Sequence, residues 1–118
     1  MKLSTLSDKI VFDILKDIEF GYLEVFNHDG KHYKFGNPND LLKAKIIVKK
    51  SNFTFDLIKG GRVGFAESYM KNDFETDNLS NLIEITARNI KQIYKFSGLL
   101  DFPLINYIKN FFIKNTKS

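Results

Sequence analysis

Side chains of the types that perform chemistry are few in this 118-residue sequence, and their spacing forms no catalytic constellation. His28 and His32 flank a predicted turn and could begin a metal site, but no third ligand stands near them in sequence. Ser68 follows Glu67 without a nearby histidine base or a glycine elbow. We therefore expect no catalytic residue and no metal site, and we interpret both histidines as exposed polar residues of a hairpin.

Two further patterns lie between residues 60 and 77. Gly60, Gly61 and Gly64 precede a predicted helix and could bind phosphate, but they lack the Walker lysine-serine pair and the dinucleotide spacing. Glycines that end a helix are the better interpretation. The second pattern consists of three carboxylates that alternate on one face of a predicted strand, Asp73, Glu75 and Asp77. Three like charges in this arrangement are more often solvated or close to calcium than catalytic, and they form no acid–base pair with distinct environments.

The segment GFAESYMKNDF combines aromatic residues with a methionine. Phe65 and Tyr69 are four residues apart, so they share one face of a predicted helix, with Met70 beside them. Core packing is one interpretation, and the lining of an apolar ligand cavity is the other. With Glu67 and Phe74 these residues form a candidate lipid-facing or structural motif. We predict that Glu67 is partly buried and accepts hydrogen bonds from the backbone of a neighbouring turn.

The composition indicates one globular domain. Hydrophobic residues make up 43% of the chain, the net charge is +4, and cysteine is absent, which excludes disulfides and thiolate metal sites. Neither a signal-peptide core nor a membrane-spanning apolar run is visible, so we expect a cytoplasmic protein, with peripheral association at the inner membrane surface as a further expectation. The cations are nearly all lysines scattered among 14 acids, which suits base recognition poorly. No nucleic-acid partner is expected.

The first half of the chain predicts a helix followed by three strands. Apolar residues at helical spacing indicate a helix over residues 6–18, with Ser7 or Asp8 as its cap. Two aromatic runs around Asp29-Gly30 predict a β-hairpin. The β-branched run over residues 44–50 predicts a third strand.

The second half of the chain predicts helices. A short helix capped by Ser51 or Asn52 should end at Gly60-Gly61, and a second should cover residues 63–71. Asp77 should cap a long helix, because an apolar stripe begins two residues later. The predicted fold is therefore α+β, with several helices covering a small antiparallel sheet made of the hairpin and the third strand. A last amphipathic helix has an apolar face made of Leu104, Ile105, Ile108, Phe111 and Phe112.

The segment GFAESYMKNDFETDNLSNLIEITARN matches a family pattern of Gly-x-x-Glu-Ala/Ser-Tyr-Met, an Asp-Gly-x-Trp-like turn and Asp-x-Leu at the start of a long helix. On these residues the chain resembles the N-terminal domain of cyclopropane-fatty-acyl-phospholipid synthases, S-adenosylmethionine-dependent enzymes that act on unsaturated acyl chains of membrane phospholipids. The resemblance covers residues 20–97. Asn72 stands where the family usually has glycine, and it can keep the turn because asparagine tolerates a left-handed backbone. Phe74 stands where tryptophan is common, which keeps an aromatic anchor.

The resemblance implies an accessory, non-catalytic domain in bacterial lipid biosynthesis. Residues 1–97 would form this domain, and residues 98–118 would form a linker and helix leading to a methyltransferase domain that is absent from this chain. S-adenosylmethionine would bind that catalytic domain or subunit and not this chain. The implied partners are the catalytic domain, phospholipid acyl chains or an anionic membrane surface, and a second copy of the chain. The candidate docking residues are Leu104, Ile108, Phe111 and Phe112.

Two alternatives to this function remain open at the level of sequence. One is an autonomous lipid carrier, which a weak topological similarity to sterol-carrier-protein domains favours. The other is a purely structural assembly module with a filled core and no ligand.

Overall fold

In the computed structural model, which describes residues 3–93, helices pack against one face of a four-stranded sheet. This arrangement confirms the predicted α+β class. The last predicted helix, its docking residues and residues 98–118 lie outside the described residues. The elements in chain order are α1 (Leu3–Leu15), β1 (Tyr22–Phe26), β2 (His32–Gly36), β3 (Lys43–Val48), α2 (Phe53–Met70), β4 (Phe74–Thr76) and α3 (Leu79–Arg88).

The sheet is mixed and has the strand order β2-β1-β3-β4. The hairpin β1–β2 and the pair β3–β4 are antiparallel, whereas β1 and β3 run parallel. Tyr22 is paired with Gly36 on one side and with Lys43 on the other. The segment that connects β2 to β3 therefore passes the end of the sheet at which β1 begins. The expectation of an antiparallel three-stranded sheet missed this crossover and the short fourth strand.

The side chain of Asp40 fixes the crossover. Its Oδ2 accepts the Gly21 N–H at 2.9 Å, and its Oδ1 accepts the Leu42 N–H at 2.9 Å. The Leu42 carbonyl in turn accepts the N–H of Tyr22 at 2.9 Å. The N–H groups of Leu42 and then Gly21 lower the pKa of Asp40 below 3.8, because they stabilise its charged form.

Helix α1 begins before Ser7 and Asp8, so neither residue is its cap, contrary to the prediction. Both side chains are buried instead. The Asp8 carboxylate accepts hydrogen bonds from Thr54 Oγ1 at 2.6 Å, from Asn27 Nδ2 at 2.9 Å and from His28 Nε2 at 3.1 Å. Thr54 Oγ1 also lies 2.7 Å from the Ser7 hydroxyl. This polar cluster joins α1 to the end of β1 and to the start of α2.

The hydrophobic core lies between the helices and one face of the sheet, and alternation along each strand selects the residues that enter it. The β3 burial pattern, exposed and buried by turns, shows this alternation directly. The strands contribute Leu23, Val25, Phe35, Ala44, Ile46, Val48 and Phe74. The helices contribute Val11, Phe12, Phe53, Leu82 and Ile85.

A kink at Gly61 divides helix α2 into the two helical segments that the sequence predicts. Gly61 has φ 55° and ψ −128°, a conformation that essentially only glycine adopts. Asn52 occupies the N-cap position, although its side chain contacts Asp56 at 2.7 Å and not a backbone N–H. Gly64 is buried against the Asp56 carbonyl, where a Cβ atom would collide. The two halves of α2 therefore pack closely despite the kink.

The N-cap of α3 is Asn78, not Asp77. Asn78 has an extended backbone, and its Oδ1 accepts the Asn81 N–H at 2.9 Å. Asp77 lies outside the helix, and its Oδ1 accepts the Lys45 N–H at 2.8 Å. The prediction was wrong by one residue, because the carboxylate of Asp77 pairs with the edge of β3 just beyond the end of β4.

Asn89 follows α3 and holds the linker between α1 and β1. Its Oδ1 accepts the N–H groups of Glu19 and Phe20 at 2.7 and 3.1 Å. Its Nδ2 donates to the carbonyls of Phe20 and Ile85, both at 2.8 Å. Asn89 is fully buried, so α3 and the linker are fixed to each other by one side chain.

Replacing Asp8 with alanine should lower the free energy of unfolding by about 3 kcal/mol, because buried donors of Thr54 and Asn27 lose their charged acceptor. Asp13→Ala is the matched control, since Asp13 lies in the same helix and forms only exposed ion pairs with Lys9 and Lys16. The control should cost less than about 1 kcal/mol. Urea unfolding measures both, and equal losses would contradict a structural role for the Asp8 cluster.

Asp40→Asn should destabilise the fold in a pH-dependent way. The pKa of Asp40 is lowered in the folded state, so its contribution is present above pH 3.8 and is lost as the pH falls through the folded-state value. The difference in unfolding free energy between the wild type and Asp40→Asn should shrink in that acidic range. Asp17→Asn, at an exposed carboxylate, serves as the control. A difference for Asp40→Asn that stays constant from neutral pH to below 3.8 would show that the carboxylate does not act through its charge.

Candidate functional site

The candidate motif of α2 and β4 divides into a core part and a surface part. Phe74 is 1% exposed, and its ring centroid lies 4.9 Å from that of Phe53 and 5.2 Å from that of Phe65. Phe65 is partly buried and packs against the core. The ring of Tyr69 lies 5.7 Å from Phe74, but 41% of Tyr69 is exposed. Phe65 and Phe74 therefore fill the core, and Tyr69 lies at its border.

Three apolar residues after the kink of α2, Val63, Ala66 and Met70, occupy its outward face and are named here the α2 stripe. Their spacing of three and four residues places them in one row. Val63 is 64% exposed and Met70 is 73% exposed, whereas Gly64 and Ser68 on the opposite side are buried. The outward face of a helix packed on a sheet is usually polar. The α2 stripe is therefore an apolar surface in a place where polar residues are expected.

An open depression of about 380 Å³ lies beside the end of the α2 stripe. It forms where α2 ends and the chain turns into β4. Asn72 makes this turn with φ 60°, so it takes the left-handed conformation expected of an asparagine at this position. The depression is lined by Tyr69, Met70, Asn72, Phe74, Glu75 and Thr76.

Glu67 is exposed, so the prediction that it is a partly buried clamp is wrong. It follows Val63 by four residues and therefore lies on the outward side of α2. The predicted type of contact, a carboxylate bound to backbone N–H groups of a turn, is made by Asp40. Asp40 lies in the turn segment NPND, and its contact with the Leu42 N–H is local, whereas its contact with Gly21 depends on how β2 and β3 are placed around β1.

Asp73 is buried, contrary to the expectation of a solvated row with Glu75 and Asp77, which are exposed. Its backbone carbonyl accepts the N–H groups of Lys49 and Lys50 at 2.9 and 3.3 Å. Its carboxylate lies 3.6 Å from the ammonium group of Lys50. Asp73 therefore fixes the turn before β4 to the end of β3.

The two histidines each contact a carboxylate and do not face one another as a metal pair. His28 contacts Asp8 and is partly buried, so the interpretation of both histidines as exposed residues is wrong for His28. His32 is exposed, and its Nε2 lies 3.0 Å from Glu24 Oε1 on the hairpin. Within residues 3–93 no group of three or more potential metal ligands is present. The hydroxyls of Ser7 and Thr54 near Asp8 are fully buried, so a substrate has no access to them. The Asp8 cluster is a structural joint.

Comparisons of this chain with protein-family models, with curated proteins and with solved structures found no match. Within residues 3–93, no helix has both the length and the apolar character needed to cross a membrane.

Alanine substitutions should show that the core part and the surface part of the motif contribute differently to the free energy of unfolding. The two variants are Phe74→Ala and Met70→Ala. Removing the buried ring of Phe74 should cost about 3–5 kcal/mol of unfolding free energy, because a cavity forms in the core. Met70→Ala should change it by about 0.5 kcal/mol or less, because Met70 is mostly exposed. Chemical unfolding of both variants tests this division. A large loss for Met70→Ala would place this residue in the core.

Proposed function

We propose that this chain is the accessory, non-catalytic domain of a cyclopropane-fatty-acyl-phospholipid synthase-like methyltransferase and engages phospholipid acyl chains through the α2 stripe. The observation that carries the proposal is the row of exposed apolar residues on α2 next to an open depression. The segment that carries the resemblance to the family, residues 64–89, contains Ala66 and Met70 of the stripe and every residue that lines the depression, and Val63 directly precedes it.

The exposure of the α2 stripe has a free-energy consequence. Burying a valine or methionine side chain is worth roughly 1.5–3 kcal/mol, and most of that is unrealised for Val63 and Met70 in the free domain. An acyl chain laid along the stripe would recover part of it. The flexible thioether of Met70 adapts to chains of different shape, and the half-exposed ring of Tyr69 suits the boundary between apolar and wet surroundings.

The two sides of the motif have different roles. The inward side, with Phe65 and Phe74, builds the core, and the outward side presents the α2 stripe. In this proposal the catalytic domain or subunit binds S-adenosylmethionine, and the accessory domain holds the lipid near it. The openness of the depression favours contact at a surface over enclosure of a lipid, so it supports this role over that of an autonomous carrier.

A tryptophan reporter tests acyl contact, because the chain has no tryptophan of its own. Met70→Trp places the indole on the α2 stripe, and Leu41→Trp places it on the crossover, where Leu41 is 96% exposed. Both variants are mixed with phospholipid vesicles whose acyl chains are brominated, since bromine quenches an indole that enters the hydrocarbon region. We expect a blue shift and quenching for Met70→Trp and neither for Leu41→Trp.

Two results would overturn the proposal. If neither reporter responds while the chain binds a methyltransferase domain and Met70→Glu abolishes that binding, the stripe is a protein-docking surface. If both reporters respond equally, the contact does not involve the stripe. Circular dichroism melting of each variant checks that the fold is retained.

A further inference from the structure

The sheet face that points away from the core carries a charge pattern that the linear sequence conceals. Along β1, β2 and β3, the side chains that alternate with the core residues point to this side of the sheet. We name this surface the open face. It consists of Tyr22, Glu24 and Phe26 on β1, His32 and Lys34 on β2, Lys43, Lys45 and Ile47 on β3, and Lys49 and Glu75 near β4.

The strand register gathers lysines that are far apart in sequence. Lys34 and Lys45 lie on either side of Glu24, and Lys43 lies beside Tyr22. Lys49 completes a set of four lysines against two glutamates on the open face. The scattered lysines of the sequence thus become a net positive surface only when β1, β2 and β3 are aligned.

Both glutamates of the open face already have a partner on that face. The side chain of Glu24 is 20% exposed and accepts from His32 Nε2 at 3.0 Å. Glu75 is paired with Lys49. Lys34, Lys43 and Lys45 are exposed, so a partner that approaches the face meets their ammonium groups first.

The aromatic rings of the open face are already engaged. Phe26 and His32 stack with centroids 4.2 Å apart and an interplanar angle of 10°. The ammonium group of Lys43 lies 5.8 Å from the centroid of Tyr22. Single-stranded nucleic acid binds through bases stacked on available rings, and specific readout favours arginine, which this face lacks. The open face therefore fits a flat anionic surface better than a nucleic acid.

We infer that the open face binds the anionic headgroups of a phospholipid bilayer, which rests on the proposed function and names a second contact with the lipid. Lysines act as point charges toward lipid phosphates, and each one close to an anionic bilayer raises the affinity about fivefold. Glu75 belongs to the open face and also lines the depression beside Met70. The open face and Met70, at the end of the α2 stripe, therefore come close to each other at β4, while the rest of the stripe lies on the helix-covered side of the sheet.

The test compares two triple variants of the full chain that lose the same charge. One carries Lys34→Gln, Lys43→Gln and Lys45→Gln on the open face. The other carries Lys9→Gln, Lys16→Gln and Lys91→Gln elsewhere on the surface. Co-sedimentation is measured with vesicles of phosphatidylcholine alone and of phosphatidylcholine mixed with phosphatidylglycerol. We expect the open-face variant to bind the mixed vesicles about a hundredfold more weakly, and the control variant to lose less than about tenfold. Binding to phosphatidylcholine alone should be equal.

Equal losses in the two triple variants would overturn the inference, because only net charge would then matter. Competition by an equimolar single-stranded oligonucleotide would also overturn it and identify a nucleic-acid surface. The Met70→Trp reporter distinguishes failure of this inference from failure of the proposed function. If it is quenched in the wild-type background while the triple variants behave alike, the proposed function stands and the open face is not the headgroup contact. If the open-face variant alone loses binding and the reporter is never quenched, headgroup binding stands without acyl engagement.

Discussion

The carboxylate of Asp8 is the point at which α1, the hairpin turn and α2 must meet. It accepts three hydrogen bonds, and the strongest geometry is that of Thr54 at 2.6 Å. The Ser7 hydroxyl oxygen adjoins this bond, 2.7 Å from Thr54 Oγ1 and 3.1 Å from the Ser4 carbonyl oxygen to which it donates. The first turn of α2 is thus fixed to α1 by a buried polar joint, whereas the α2 stripe lies beyond the kink at Gly61.

Local chemistry made much of the fold predictable. The Asp29-Gly30 turn, the β-branched third strand and the break at Gly61 each depend on residues adjacent in sequence, and all three are present. The α3 cap was missed by one position because Asp77 and Asn78 are both good N-caps. Only the end of β4 decides between them, and this strand is fixed by pairing with β3. A local pattern can therefore find an element while the tertiary structure determines its boundary.

The roles of the polar residues could not be predicted in the same way. Asp8 and Thr54 are 46 residues apart, and Asp40 acts on a crossover whose direction depends on the parallel pairing of β1 with β3. For the candidate site, helical spacing correctly grouped Phe65 with Tyr69, but spacing alone does not show which side of a helix meets the core. The same limit explains the open face, because its lysines belong to one surface only after three strands are in register.

The contact of Asn89 with Glu19 and Phe20 also determines when, during synthesis of the chain, these two residues can be held in place. The partners are separated by 70 and 69 residues, which makes this the longest loop that the described hydrogen bonds close. Closing such a loop has an entropic cost, and the contact cannot exist until residue 89 has left the ribosome. Gly21, at the end of the linker before β1, can be fixed earlier by Asp40 and Asn37. Glu19 and Phe20 gain their partner only when one of the last described side chains has been made.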